Sequence, residues 1–286
     1  MSTPEGSPVL YYTELGRPSH ATVISYLINN KHLLTQGNTL LTEFQMHSGG
    51  APGSDYVWGH IGEEFGIKTP NHYYTGERNQ HNAPYGNVEL TPEDYEEGRH
   101  KVAEAAKYNW GYEYSTMKDP RLIRNWAQVK YADAIFAVGH LVKPGERIFP
   151  KIPKDERTAI NAAVTGGTGY AVGMAILAGK PVYVFDQERG EWYKCIDGKW
   201  TVSEVPVLTP DFAGIGTREI NKAGMQAIRD VYKKTIQAKQ RGLVAQKQVQ
   251  KNLERTLGTD EITNGDIKDA VMFAKKGLAL EELLTD

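Results

Sequence analysis

The chain has 286 residues, with 33 Lys+Arg against 35 Asp+Glu and a formal net charge of −2. That balance argues against an overall polyanion binder, and the single cysteine, Cys195, excludes an internal disulfide and paired-cysteine zinc or iron–sulfur sites. No apolar run approaches the roughly 18–20 residues of a membrane helix, and the opening MSTPEGSPVL lacks a basic-then-apolar signal, so a cytoplasmic protein with no membrane partner is expected. The 29 glycines are the compositional feature that needs an address.

Strand and helix signals alternate from about residue 8 onward. Val9 to Thr13 reads as a strand, and Ser19 or His20 as the cap of a helix with apolar Val23, Ile24, Leu27 and Ile28. Glu43 to His47 is a second strand, running into Ser48-Gly49-Gly50-Ala51-Pro52-Gly53-Ser54-Asp55 and a helix from Tyr56 to Phe65. His72 to Thr75 is a short third strand, and the polar stretch 76–92 reads as loop. Thr91-Pro92-Glu93-Asp94 starts a helix that ends near Tyr108, because proline suits the first helical position and acids suit the first turn. A helix over Asp119 to Tyr131 precedes the strand Ala134 to Val138, and 139–157 is loop.

Gly166-Gly167-Thr168-Gly169 opens a helix through Leu177, followed by the strand Pro181 to Phe185. Asp197-Gly198 joins two alternating runs, Trp192 to Ile196 and Lys199 to Val202, as a tight hairpin. Phe212 to Arg218 is the last strand with a glycine turn, and a helix follows from about Lys222 to Thr235. Repeated units of this kind predict an α/β, Rossmann-like three-layer fold with a parallel sheet over 8–235 and a helical C-terminal extension over 236–286. From Lys233 to Arg255 seven basic residues face one acid, Glu254, and 266–284 reads as a small helical pair.

Two glycine loops carry the chemistry. Between a strand and a helix, small residues let backbone N–H groups approach an anion, and the helix start adds partial positive charge. Ser48, Gly49, Gly50, Ala51, Gly53 and Ser54 form the first candidate phosphate loop; Gly166, Gly167, Thr168 and Gly169 form the second. Ligands of open α/β sheets bind beyond the carboxyl ends of the strands, where both loops are expected to meet. Asp55 closes the first loop and is either a carboxylate facing the crevice or a bond holding the loop shut. Glu63 and Glu64, further along that helix, read as a solvated face. Arg78, with Asn79 and His81, is placed to hang over the crevice; Arg124, next to Asn125, is either a site residue or the partner of Asp119 or Asp133; Arg218 is a phosphate or purine contact.

His47, His60 and His72 are too widely spaced for a metal set, so no metal and no resident cofactor is indicated. Neither a GxSxG elbow nor a GxxxxGK[ST] loop is present.

The ordered set SGGAPGSD, RNWAQVKYADAIFAVG and VTGGTGYAVGMAILAGKPVYVFD, with FAGIGTREIN, resembles the SLOG superfamily of Rossmann-like nucleotide-binding proteins. That group includes the LOG-type phosphoribohydrolases, DprA and the YpsA-like proteins, and the likeness is greatest to YpsA-like and phage members. The resemblance spans roughly 8–235 and implies a nucleotide or nucleotide-derived ligand, phosphate at the two glycine loops, and N-glycosidic hydrolysis of a nucleoside monophosphate or NAD-derived nucleotide. Asp55 and Arg124 are then the candidate catalytic residues. The chain departs from the LOG-type PGGxGTxxE pattern: Thr165 stands for Pro, Tyr170 for Thr, and the catalytic Glu position falls on Gly173. Two alternatives stand beside hydrolysis. One is a non-catalytic binder that senses or sequesters a nucleotide signal, as in phage–host conflict. The other is DprA-like nucleic-acid binding through the basic tail, which also suits a homo-oligomer interface.

Overall fold

The computed structural model describes residues 41, 43–67, 71–74, 87–113, 118–152 and 154–257. The strand read over Val9 to Thr13, the helix after it, Thr75, Arg78, Asn79, His81 and the helical pair over 266–284 lie outside the described residues.

The chain is α/β with a Rossmann-like sheet. In order it forms β1 (Gln45–Ser48), α1 (Ser54–Glu64), β2 (Asn71–Tyr74), β3 (Asn87–Glu89), α2 (Pro92–Trp110), α3 (Pro120–Ile123), α4 (Asn125–Tyr131) and β4 (Ala134–Gly139). It continues through β5 (Leu141–Val142), β6 (Ala163–Val164), α5 (Thr168–Leu177), β7 (Val182–Asp186), β8 (Glu191–Ile196), β9 (Lys199–Ser203), β10 (Asp211–Gly216) and α6 (Lys222–Leu257). The main sheet runs β3-β2-β1-β10-β4-β7-β8-β9. Its strands from β3 to β7 are parallel, and β8 and β9 add an antiparallel edge. Among the described residues, no helix is long and apolar enough to cross a membrane.

Alternation along the central strands sets the layers. Ile135 and Ala137 of β4, with Ala213 and Ile215 of β10, join a core with Val102, Trp126, Val129, Ala171 and Ala175 from α2, α4 and α5. On the opposite face, Phe136 and Phe212 pack around Trp58 of α1 and Tyr232 of α6, whose hydroxyl donates to the Trp58 carbonyl at 2.9 Å. Gly214 lies under Trp58, where a Cβ would sit 2.8 Å from Cγ of the indole, so the β10–α1 contact requires glycine there.

Several predicted elements change. The stretch read as loop contains β3, whose residues are all exposed, so an apolar alternation never marked it. The helix read over Asp119 to Tyr131 breaks at Arg124 into α3 and α4. The last strand ends at Gly216 rather than Arg218. The second glycine loop does not leave the parallel sheet: it follows β6, which pairs with β5 in a separate two-stranded sheet. The helix from Lys222 does not stop at Thr235 but continues to Leu257. The chain divides into two compact units between Tyr232 and Lys233.

Candidate functional site

A cavity of about 1290 Å³ opens at the carboxyl ends of the central strands. Residues after β1 (Ala51, Asp55), β4 (His140), β7 (Glu188, Arg189) and β10 (Thr217, Arg218, Glu219) line it. The walls come from α3 and α4 (Arg121, Arg124, Asn125, Gln128), from the 145–152 segment, and from the second glycine loop.

The first glycine loop is turned inward. The Gly50 N–H donates to Ser48 Oγ at 3.3 Å. Both the backbone N–H and the hydroxyl of Ser54 donate to the Thr217 carbonyl, at 2.9 and 2.8 Å. Asp55 Oδ1 accepts from the Gly216 N–H at 3.0 Å, and the N–H groups of Gly49 and Ala51 also direct hydrogen bonds to this carboxylate. A side-chain anion therefore occupies the ring of donors at the start of α1. Gly53 is needed for another reason. Its φ is +103°, and a Cβ there would lie 2.4 Å from the Arg218 Cα. Gly49 lies beneath Arg124 Nη2 and Gln128 Nε2, each 2.9 Å from where its Cβ would be. Ser48, Gly49, Gly50, Gly53 and Ser54 do not line the cavity; Ala51 and Asp55 do. The expectation that this loop offers its donors to phosphate is thus corrected for Gly49, Gly50, Ala51 and Ser54: the chain itself uses their N–H groups and the Ser54 hydroxyl.

The second loop is open. Gly166 adopts φ +69° with nothing within 4 Å of an added Cβ, and its N–H donates to the Ile148 carbonyl at 3.2 Å. Gly167 and Thr168, at the start of α5, line the cavity, and among the described residues no acceptor takes their N–H groups. Gly169 departs from the expectation. It packs against Val164, whose carbonyl would lie 2.1 Å from a Cβ, and it does not line the cavity.

Arg124 sits where α3 meets α4 and is 8% exposed. Its guanidinium forms no ion pair with Asp119 or Asp133; Asp119 pairs with Arg121 at 2.8 Å instead. Arg124 Nε is buried, with no hydrogen-bond partner among the described residues. Burial pulls the guanidinium below its ordinary value, and the nearby Asp55 charge opposes that shift. Burial pushes the Asp55 carboxyl up to about 6, against the pull of Arg124 and the three backbone donors. Arg218, exposed at the cavity, has no ion pair among the described residues and adds positive charge that Arg124 feels.

Next to Arg124, Asn125 and Gln128 also line the cavity. Gln128, 1% exposed, donates from Nε2 to Asn125 Oδ1 at 3.2 Å. No motif marks Gln128, although its spacing from Arg124 and Asn125 puts all three on one helical face. Gly173, at the LOG-type glutamate position, is buried against Asn109 of α2, whose Oδ1 would be 2.9 Å from a Cβ. That position lies in a helix–helix contact and not on the cavity wall. Glu64 pairs with Arg229 at 3.1 Å, and neither it nor Glu63 lines the cavity. His47 is buried in the sheet between Tyr73 and Asp211, 3.1 Å from each. Among the described residues, no group of three or more His, Cys, Asp or Glu is placed to hold a metal.

No family model, curated protein or solved structure matches the chain.

Proposed function

We propose that the protein binds a nucleoside monophosphate or an NAD-derived nucleotide in this cavity. Its phosphate is held by Arg124 and the N–H groups of Gly167 and Thr168, with Arg218 adding charge from the rim. The observation that carries this reading is the buried Arg124 guanidinium, in no ion pair among the described residues and lining the same cavity as the open helix start. Burying a cation without a partner is costly, and an anionic ligand supplies the missing partner.

Hydrolysis of the N-glycosidic bond is the second reading, favoured by the raised pKa of Asp55 on the cavity wall. A carboxyl near 6 can take a proton from an attacking water at neutral pH. Incubation with nucleoside monophosphates, NAD and ADP-ribose, read by chromatography and thermal shift, tests both readings. Binding raises the melting temperature, because the ligand adds only to the native state. Released base supports hydrolysis. A thermal shift with unchanged nucleotides leaves a non-catalytic binder, and no shift with any of them rejects the site.

A further inference from the structure

The wall beside Arg124 carries a second kind of group. Gln128 is 1% exposed, yet among the described residues its carbonyl accepts from nothing; the Asn125 amide N–H₂ likewise donates to nothing. The bond between them, Gln128 Nε2 to Asn125 Oδ1 at 3.2 Å, fixes one amide against the other. Both line the cavity, and the Gln128 amide shares the space over Gly49 with the Arg124 guanidinium. The first turn of α4 thus presents a cation, then an unspent donor and an unspent acceptor. Both groups line the cavity and neither is sealed from it, so this pair is free to meet a ligand group there.

The chemistry of that group follows from what each candidate would leave unmatched. A second phosphate only accepts, and it would face the Gln128 carbonyl. An ammonium only donates, and it would face both the Asn125 N–H₂ and Arg124. A hydroxyl donates and accepts, so neighbouring sugar hydroxyls satisfy both amides at once. Among the described residues, no aromatic ring of α3 or α4 lines the cavity; its aromatic residues are His140, Phe149 and Tyr170, from other segments. The place beside Arg124 is therefore polar on its reading surface and lacks a stacking platform for a base.

We infer that Asn125 and Gln128 are specificity-determining residues that hold the ribose hydroxyls of a ribose phosphate whose phosphate Arg124 binds. The inference rests on the nucleotide reading above and narrows it to ribo- over 2′-deoxyribonucleotides.

Calorimetric titration of the full chain with the four common ribonucleoside 5′-monophosphates, their 2′-deoxy counterparts and ribose 5-phosphate tests it. The wild type is expected to bind the ribo forms and ribose 5-phosphate, and the deoxy forms about tenfold or more weakly. Gln128→Leu is expected to weaken ribonucleotides about tenfold and to erase the ribo/deoxy difference. Asn125→Ala, at a half-buried position, is expected to reduce that difference as well, and it serves if Gln128→Leu does not fold. Equal affinity of ribo and deoxy forms for the wild type overturns the inference while leaving the nucleotide site standing. So does discrimination that survives in either folded variant, or discrimination among bases that disappears in Gln128→Leu. Absence of binding by any of these probes overturns both readings.

Discussion

The two glycine loops look alike as strings and behave differently as structures. In the loop over 48–55, the donors are consumed: Ser48, Asp55 and the Thr217 carbonyl accept from Gly50, from Gly49, Ala51 and Gly216, and from Ser54, respectively. In the loop over 165–169, Gly167 and Thr168 line a cavity and, among the described residues, no acceptor takes their N–H groups. Glycine density measures how closely the backbone must approach something. Whether that something is a ligand or the protein itself depends on where each donor goes.

The sharpest way to break this contrast is through the glycines. Gly53→Ala is expected to cost about 3 kcal/mol or more in urea denaturation, because its Cβ would collide with the Arg218 backbone at an already left-handed φ. Gly166→Ala should cost only about 1 kcal/mol, the strain of φ +69° without a clash. Equal costs would mean that the first loop is as open as the second.

Asp55 gives an effect of similar size with a pH signature. Its carboxyl titrates at about 6 when folded against an ordinary 3.8, so the native state holds this proton more tightly than the unfolded chain does. This residue's contribution therefore falls as pH rises from about 4 to about 6, by up to about 3 kcal/mol, and is constant above. Stability curves of wild type and Asp55→Asn should diverge across that window and run parallel above it. Parallel curves throughout would show that Asp55 is not the buried anion of the first loop.

Two smaller effects concern the open side. Arg218→Ala should weaken nucleotide binding about three- to tenfold at low salt and less at high salt, since an exposed charge is screened. Lys151→Ala removes an ion pair with Glu219 whose two side chains are 74% and 70% exposed. It should change stability by less than about 0.5 kcal/mol.

Much of the fold is legible in the residues. Asp197-Gly198 forms the expected hairpin with positive φ at both positions, and Ala134 to Gly139 is the buried strand its apolar run announces. What local patterns could not supply is neighbourhood. β10 comes last in the chain yet lies between β1 and β4, and that insertion brings Thr217 and Gly216 against Ser54 and Asp55. The two donors of Ser54 were thus claimed by a segment more than 150 residues away, which no window along the sequence could reveal. Arg124 was legible as a cation on a helix, but its burial comes from the helix break between Ile123 and Asn125. Gln128 was hidden because a lone amide carries no motif.

What separates the two loops is where an anion goes. A titration of the ¹⁵N-labelled chain with adenosine 5′-monophosphate, followed at the backbone amides, separates the loops directly. The expected result is large shifts at Gly167 and Thr168, with Gly49 and Gly50 unmoved. Shifts concentrated at Gly49 and Gly50, with Gly167 and Thr168 silent, would contradict it.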